Sequence, residues 1–220
     1  YDFVRLGEQE LGVIIGDVSG KGTSAAFYMA EMQGIFHSVS RIAKSPATFL
    51  THANTALAQT LDKNVFISAI YAILNLETER IVLARAGHCP AAIVRLNGEA
   101  RYIRTRGLGL GLDRGSLFQQ SLTQESISLD PGDVLVFYTD GVVESRDAEG
   151  EEYGYDRLLS ILKEYRHEDA DGLHSAVLRD LRGFIGSAEY DDDMTLVVVK
   201  WHGVPIDTLL TSTQSVKEST

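Results

Sequence analysis

A single cysteine, Cys89, stands in a chain of 220 residues. That excludes an internal disulfide framework and a Cys-rich zinc site, and it fits a reducing compartment. Positive charge is also short. Twenty Lys and Arg against 31 Asp and Glu leave a formal net charge of −11, a balance too acidic for broad contact with a nucleic-acid backbone. The same excess suits a site that gathers cations. No apolar run approaches the ~20 residues needed to span a bilayer, and no signal peptide opens the chain, so no membrane contact is expected of this domain. With 44% hydrophobic and 23% charged residues, the remainder has the mix of an ordinary globular domain and not of a disordered chain. The chain starts at Tyr1 without a methionine and reads as a piece cut from something longer.

Along the chain, Leu11 to Ile15 is a short apolar run closed by Gly16-Asp17, read as a buried strand ending in a turn. Helical spacing follows from Thr23 to Ala43. A second helix starts at Ser45-Pro46, with proline early in its first turn, and is expected to run to about Leu61. From Val65 the pattern turns to short strands: Phe66 to Leu76, Arg80 to Ala86, Ala91 to Leu96, Glu99 to Thr105, Gln119 to Leu129 and Asp133 to Tyr138. Helical patterns return at Gly154 to Tyr165 and Gly172 to Phe184, and Met194 to Trp201 reads as a last buried strand. Residues 1–203 are expected to form one domain, with 204–220 a polar, mobile tail. Strands, a helix pair, many strands, a second helix pair and a final strand suit antiparallel sheets covered by helices better than a βαβ wheel.

The chemistry points to aspartates. Asp17 follows LGVIIG, Asp140 follows DVLVFYT, and Asp191, Asp192 and Asp193 directly precede MTLVVVK. Carboxylates at strand ends converge from distant parts of a chain, and hard divalent cations such as Mg²⁺ and Mn²⁺ prefer such oxygen ligands. Aspartate is also ordinary turn chemistry, and composition and periodicity leave both readings open.

The strings carry the argument further. Gly16-Asp17-Val18-Ser19-Gly20-Lys21-Gly22, Ala86-Gly87-His88-Cys89-Pro90, Tyr138-Thr139-Asp140-Gly141-Val142-Val143-Glu144 and Asp192-Asp193-Met194-Thr195 occur in that order. Together they resemble the SpoIIE-like bacterial branch of the metal-dependent, type 2C protein serine/threonine phosphatases, over roughly Tyr1 to Trp201. The resemblance implies an α+β fold, an αββα sandwich of two antiparallel sheets flanked by helix pairs. It implies two Mn²⁺ or Mg²⁺ ions sharing a bridging water that attacks phosphoserine or phosphothreonine in a protein. By position, Asp17 would be the bridging ligand and the Val18 carbonyl a backbone ligand. Asp140 and Asp192 would hold the second metal, and Asp193 and Asp191 would support it or hold a further ion. Gly20 would let the loop turn tightly beside the ions, and Lys21 would attract the phosphate unless it is simply solvated.

The resemblance also implies a substrate of the anti-sigma-factor antagonist kind in a bacterial partner-switching pathway. The domain would be the cytoplasmic output of a larger regulator with upstream sensor segments, and a dimer is left open. The family's pattern places one further acidic ligand two positions before Tyr1. Asp2 is expected to point elsewhere, so this fragment alone is expected to bind metal and turn over poorly. No residue is assigned as general acid.

Four other readings compete. His88-Cys89 followed six residues later by Arg95 matches the His-Cys-x5-Arg signature of cysteine-dependent phosphatases, but the intervening Ala91-Ala92-Ile93-Val94 is β-prone and offers no amide nest for a phosphate. Gly16 to Gly22 is one residue short of a P-loop, and Gly107-Leu108-Gly109-Leu110-Gly111 is no dinucleotide fingerprint and reads as a loop at the site's rim. A catalytically dead module that binds a phosphoprotein partner is the non-enzymatic alternative.

Overall fold

The computed structural model describes residues 1–20, 22–187 and 192–203. Two antiparallel sheets stack face to face. The first is ordered β1 (Asp2–Arg5), β2 (Glu10–Val18), β3 (Ile67–Asn75), β4 (Arg80–Ala86) and β7 (Gln124–Ser128). The second is ordered β6 (Ala100–Ile103), β5 (Ala91–Val94), β8 (Val134–Tyr138) and β9 (Leu196–Lys200). Helices α1 (Thr23–Val39) and α2 (Pro46–Leu57) cover the first sheet, and α5 (Tyr155–Glu164) and α6 (Ala170–Ile185) cover the second. This is the αββα sandwich that the pattern of elements implies.

Strand alternation builds three apolar layers. Val13, Ile15, Ile70, Leu83, Ile93, Leu135 and Phe137 fill the space between the sheets. Ile14, Val18 and Tyr71 face the other way, against Phe36 and Phe49 of the first helix pair. Val94, Val136 and Tyr138 meet Leu158, Leu162 and Val177 of the second. Local chemistry starts the helices where it should. The Ser45 hydroxyl accepts from the Thr48 N–H at 3.2 Å with Pro46 following, and the Asp169 carboxylate accepts from the Gly172 N–H at 2.7 Å.

Several boundaries differ from the sequence reading. The segment expected as a strand from Gln119 opens instead with a short helix, α3 (Leu117–Ser121). The Asp113 carboxylate accepts from the N–H groups of Gly115 and Phe118, folding the chain into a turn that buries Phe118. Helix α1 ends at Val39 and α2 at Leu57, both short of their expected ends. The glycine loop 107–111 does not itself line the cavity but packs against Gly87 and Phe66, which do. It packs under the β3–β4 end, where Leu110 bridges Ile67 and the Gly87 N–H donates to the Gly107 carbonyl at 3.0 Å. Residues 204–220, expected as a tail, lie outside the described residues.

Candidate functional site

Asp17 is not in a turn. It sits one residue before the end of the β2 ladder, opposite Ser68, with Gly16 opposite Ala69. A Cβ at Gly16 would meet the Ser68 carbonyl at 2.7 Å, so glycine lets the two strands close here. Asp17 shares the strand parity of Val13 and Ile15, so its carboxylate emerges at the open end of the layer between the sheets. Asp140 follows β8 and is the first residue of a one-turn helix, α4 (Asp140–Val143). Asp192 and Asp193 lead into β9, which pairs antiparallel with β8 through Tyr138 and Leu196. All four aspartates, with Val18 and Gly20, line a single cavity of about 1240 Å³. Lys21 and Asp191 lie outside the described residues.

Two neighbours of Asp140 fix this convergence. The Thr139 hydroxyl accepts from the Thr195 N–H at 2.9 Å and lies 3.3 Å from the Asp193 carbonyl, to which it donates. The Thr139 N–H donates to the Thr195 carbonyl at 3.1 Å. Gly141 leaves room for that segment, because a Cβ there would stand 2.6 Å from the Asp193 carbonyl. The Thr-Asp-Gly string therefore holds the Asp192–Thr195 strand entry against Asp140.

The electrostatics match the geometry. Burial raises the Asp17 carboxyl above the ordinary carboxylate value, and the charges of Asp140, Asp192 and, more weakly, Asp193 add to it, while the Val18 N–H works against them. Glu144, also on the cavity, is raised by burial and by Asp140. Hard oxygen donors held together against their own repulsion have the chemistry of a divalent-cation site. Among the described residues no group of three His, Cys, Asp or Glu is drawn close enough to hold an ion as it stands. The donor set fits Mg²⁺ or Mn²⁺, and a bound cation would have to draw the carboxylates inward.

The sequence reading missed the floor beneath them. His88 is buried, its Nδ1 is 2.7 Å from the Ser68 hydroxyl, and that hydroxyl lies 3.5 Å from the Asp17 carbonyl. Burial pushes the imidazole down to about 4, so it is neutral at pH 7. Arg85 donates to the His88 carbonyl at 2.6 Å and to the Thr105 carbonyl at 2.7 Å, pinning the loop that carries His88. The only advance sign of this floor was Gly87-His88 in the second string. Asp2 turns to α1, where Gln33 donates to its carboxylate at 3.0 Å and His37 Nε2 lies at 2.8 Å.

The cysteine reading comes apart here. Cys89 and Arg95 flank the extended strand β5, so six residues at ~3.3 Å each separate them by roughly 20 Å. Arg95 is instead ion-paired with the buried Asp133 and donates to the Ser128 carbonyl at 2.8 Å. Burial pushes the Cys89 thiol up to about 11. At pH 8 its thiolate fraction is then roughly two hundredfold below that of a cysteine titrating at ~8.5. Iodoacetamide should label the native chain slowly and the denatured chain fast, and Cys89→Ser should keep phosphate release. Fast native labelling, or loss of activity in a folded Cys89→Ser protein, would contradict this.

Two stacked antiparallel sheets between helix pairs, with carboxylates meeting at one open end, are the arrangement of the PP2C fold. The SiaA-PP2C domain of Pseudomonas aeruginosa has the same fold, with a TM-score of 0.78 at 17% identity, covering 91% of this chain and 79% of that one. The chain belongs to the SpoIIE family, since the family model for Stage II sporulation protein E (SpoIIE) matches residues 7–202. It is 27% identical over 201 residues to the phosphoserine phosphatase RsbU of Bacillus subtilis (strain 168), covering 91% of this chain and 58% of the relative. It is 26% identical over 230 residues to Protein IcfG of Synechocystis sp. (strain ATCC 27184 / PCC 6803 / Kazusa), covering 90% of this chain and 35% of the relative. The chain thus spans little more than half of one curated relative and about a third of the other. Among the described residues no helix is long and apolar enough to cross a membrane.

Proposed function

We propose that this domain hydrolyses phosphoserine or phosphothreonine in a protein, using two divalent ions, Mn²⁺ or Mg²⁺, at the mouth of the sandwich. The reading rests on carboxylates from three separate strand ends lining one cavity, with Asp17 raised by burial and by its acidic neighbours. Asp17 and the Val18 carbonyl would hold one ion, with Asp17 shared. Asp140 and Asp192 would hold the second, and Asp193 would support it. Bound ions of this kind supply a water of lowered pKa and neutralise phosphoryl oxygens.

The chain's own residues do the positioning. Thr139 and Gly141 keep the Asp192 segment at Asp140. Ser68 and the neutral His88 brace the strand that presents Asp17. Gly20, at φ 113°, turns the chain at the cavity wall through a conformation that other residues rarely adopt. A cavity of about 1240 Å³ exceeds the ~300–1000 Å³ common for small-molecule sites, leaving room for a phosphorylated side chain on a polypeptide. The likeness to the phosphoserine phosphatase RsbU supports phosphoserine as the group removed. The substrate of the anti-sigma-factor antagonist kind, and the role as output of a larger regulator, extend the resemblance carried by the sequence strings.

The test is phosphate release from a phosphoseryl anti-sigma-factor antagonist. Mn²⁺ should stimulate release and a chelator should abolish it. Release that survives the chelator contradicts the metal reading. Tight binding of the phosphoprotein without turnover in Mn²⁺ favours the dead-module reading instead.

A further inference from the structure

The cavity that gathers carboxylates also holds two guanidinium groups among the described residues, Arg85 and Arg104. Arg85 is committed to structure, with its donors spent on the Thr105 and His88 carbonyls. Arg104 is different. It is exposed, and its guanidinium carbon stands 5.5 Å from the Tyr102 ring centroid and 5.8 Å from that of Tyr155. The two rings meet edge to face, 5.3 Å apart at 85°. The Tyr102 hydroxyl donates to the Tyr155 carbonyl at 2.6 Å, and the Tyr155 hydroxyl lies 3.8 Å from Cys89 Sγ. The platform is therefore fixed from both sides.

No carboxylate among the described residues pairs with Arg104, although Asp17, Asp140, Glu144, Asp192 and Asp193 line the same cavity. Its charge is felt instead at Arg85, a like charge. Tyr155, whose ring carries this guanidinium, also feels the charge of Glu144. A guanidinium held over aromatic rings with its N–H groups unspent is preorganised for an anion, and its planar fork matches phosphate oxygens.

We propose that Arg104, carried on the Tyr102–Tyr155 platform, is the residue of this chain that receives a phosphoryl oxygen of the substrate, opposite the carboxylates that would hold the metals. This rests on the phosphatase reading and adds a substrate-binding residue to it. It also gives the aromatic wall a purpose, because the wall sets the height and tilt of the fork above the cavity floor.

The experiment uses the whole chain in Mn²⁺, with p-nitrophenyl phosphate as substrate and inorganic phosphate as competing ligand. A contact made equally in ground and transition states moves KM and leaves kcat. Arg104→Ala should therefore raise KM and the inhibition constant of phosphate by about tenfold to a hundredfold, the range for a lost charged hydrogen bond, with kcat nearly unchanged. Arg104→Lys, which keeps the charge without the fork, should recover part of both. Phosphate should raise the melting temperature of the parent chain and not that of Arg104→Ala. Unchanged KM and phosphate inhibition in Arg104→Ala would overturn the proposal. So would a KM rise confined to phosphopeptides with acidic neighbours, since Arg104 would then read a flanking carboxylate. If the parent chain turns over no phosphoester in Mn²⁺, the phosphatase reading fails, while the melting shift still decides whether Arg104 binds phosphate.

Discussion

Asp140→Asn should leave the domain folded and lower its phosphate release by at least about a hundredfold, the scale on which disturbed metal sites lose affinity or activity. The substitution keeps shape. Asp140 Oδ1 accepts from the Gly141 N–H at 3.0 Å, a bond that an asparagine oxygen can also accept. What it removes is a negative charge aimed at the cavity. That charge is one of those that raise Asp17, so its removal relieves repulsion in the metal-free protein. The melting temperature without metal should therefore hold or rise while activity collapses, as expected of a residue kept for function at some cost in stability. Phosphate release in Mn²⁺ beside a thermal melt checks both. Retained activity, or activity lost only because the protein unfolds, would contradict the role given to Asp140.

Gly141→Ala should cost activity for a different reason. The added Cβ would stand 2.6 Å from the Asp193 carbonyl and 3.2 Å from the Met194 side chain. The first of these is backbone, which cannot swing aside as a side-chain tip can. The Asp192–Thr195 segment must move away, stretching its bonds to Thr139 and taking Asp192 with it. Overpacking of this sort costs about 1–3 kcal/mol, and a loss of activity of at least about tenfold should accompany it through the displaced carboxylate. Gly183, exposed in α6 with nothing within 4 Å of its would-be Cβ, is the matched control. Gly183→Ala should leave activity alone and add up to about 1 kcal/mol of helix stability. Denaturation curves and phosphate release on the two variants separate the steric effect from a generic glycine effect.

The sandwich was legible because its determinants are local and repeated. Leu11–Ile15, Asp133–Tyr138 and Met194–Trp201 are too apolar to lie anywhere but between layers, and Ser45-Pro46 marks a helix start. The strand ends were read one step out, since Gly16 and Asp17 resemble turn residues and only the partner strand at Ser68 and Ala69 keeps them in the ladder. The Gln119 region misled for a similar reason. Alternation favours a strand, but the Asp113 carboxylate, itself outside the pattern, captures two backbone N–H groups and forces a helical turn. The aspartates stood out because three strand ends carried them. The Ser68–His88–Arg85 floor and the Arg104 platform did not, because each is assembled across strands from residues whose neighbours in sequence give no hint of the contact.

The most direct test of the carboxylate cluster is a Mn²⁺ titration of the folded chain at neutral pH, read by the paramagnetic resonance of the unbound ion. Weak but saturable binding to the parent chain, weakened further by about tenfold or more in Asp17→Asn, is the predicted result. Absence of saturable binding, or binding indifferent to Asp17→Asn, would contradict a metal centre at the mouth of the sandwich.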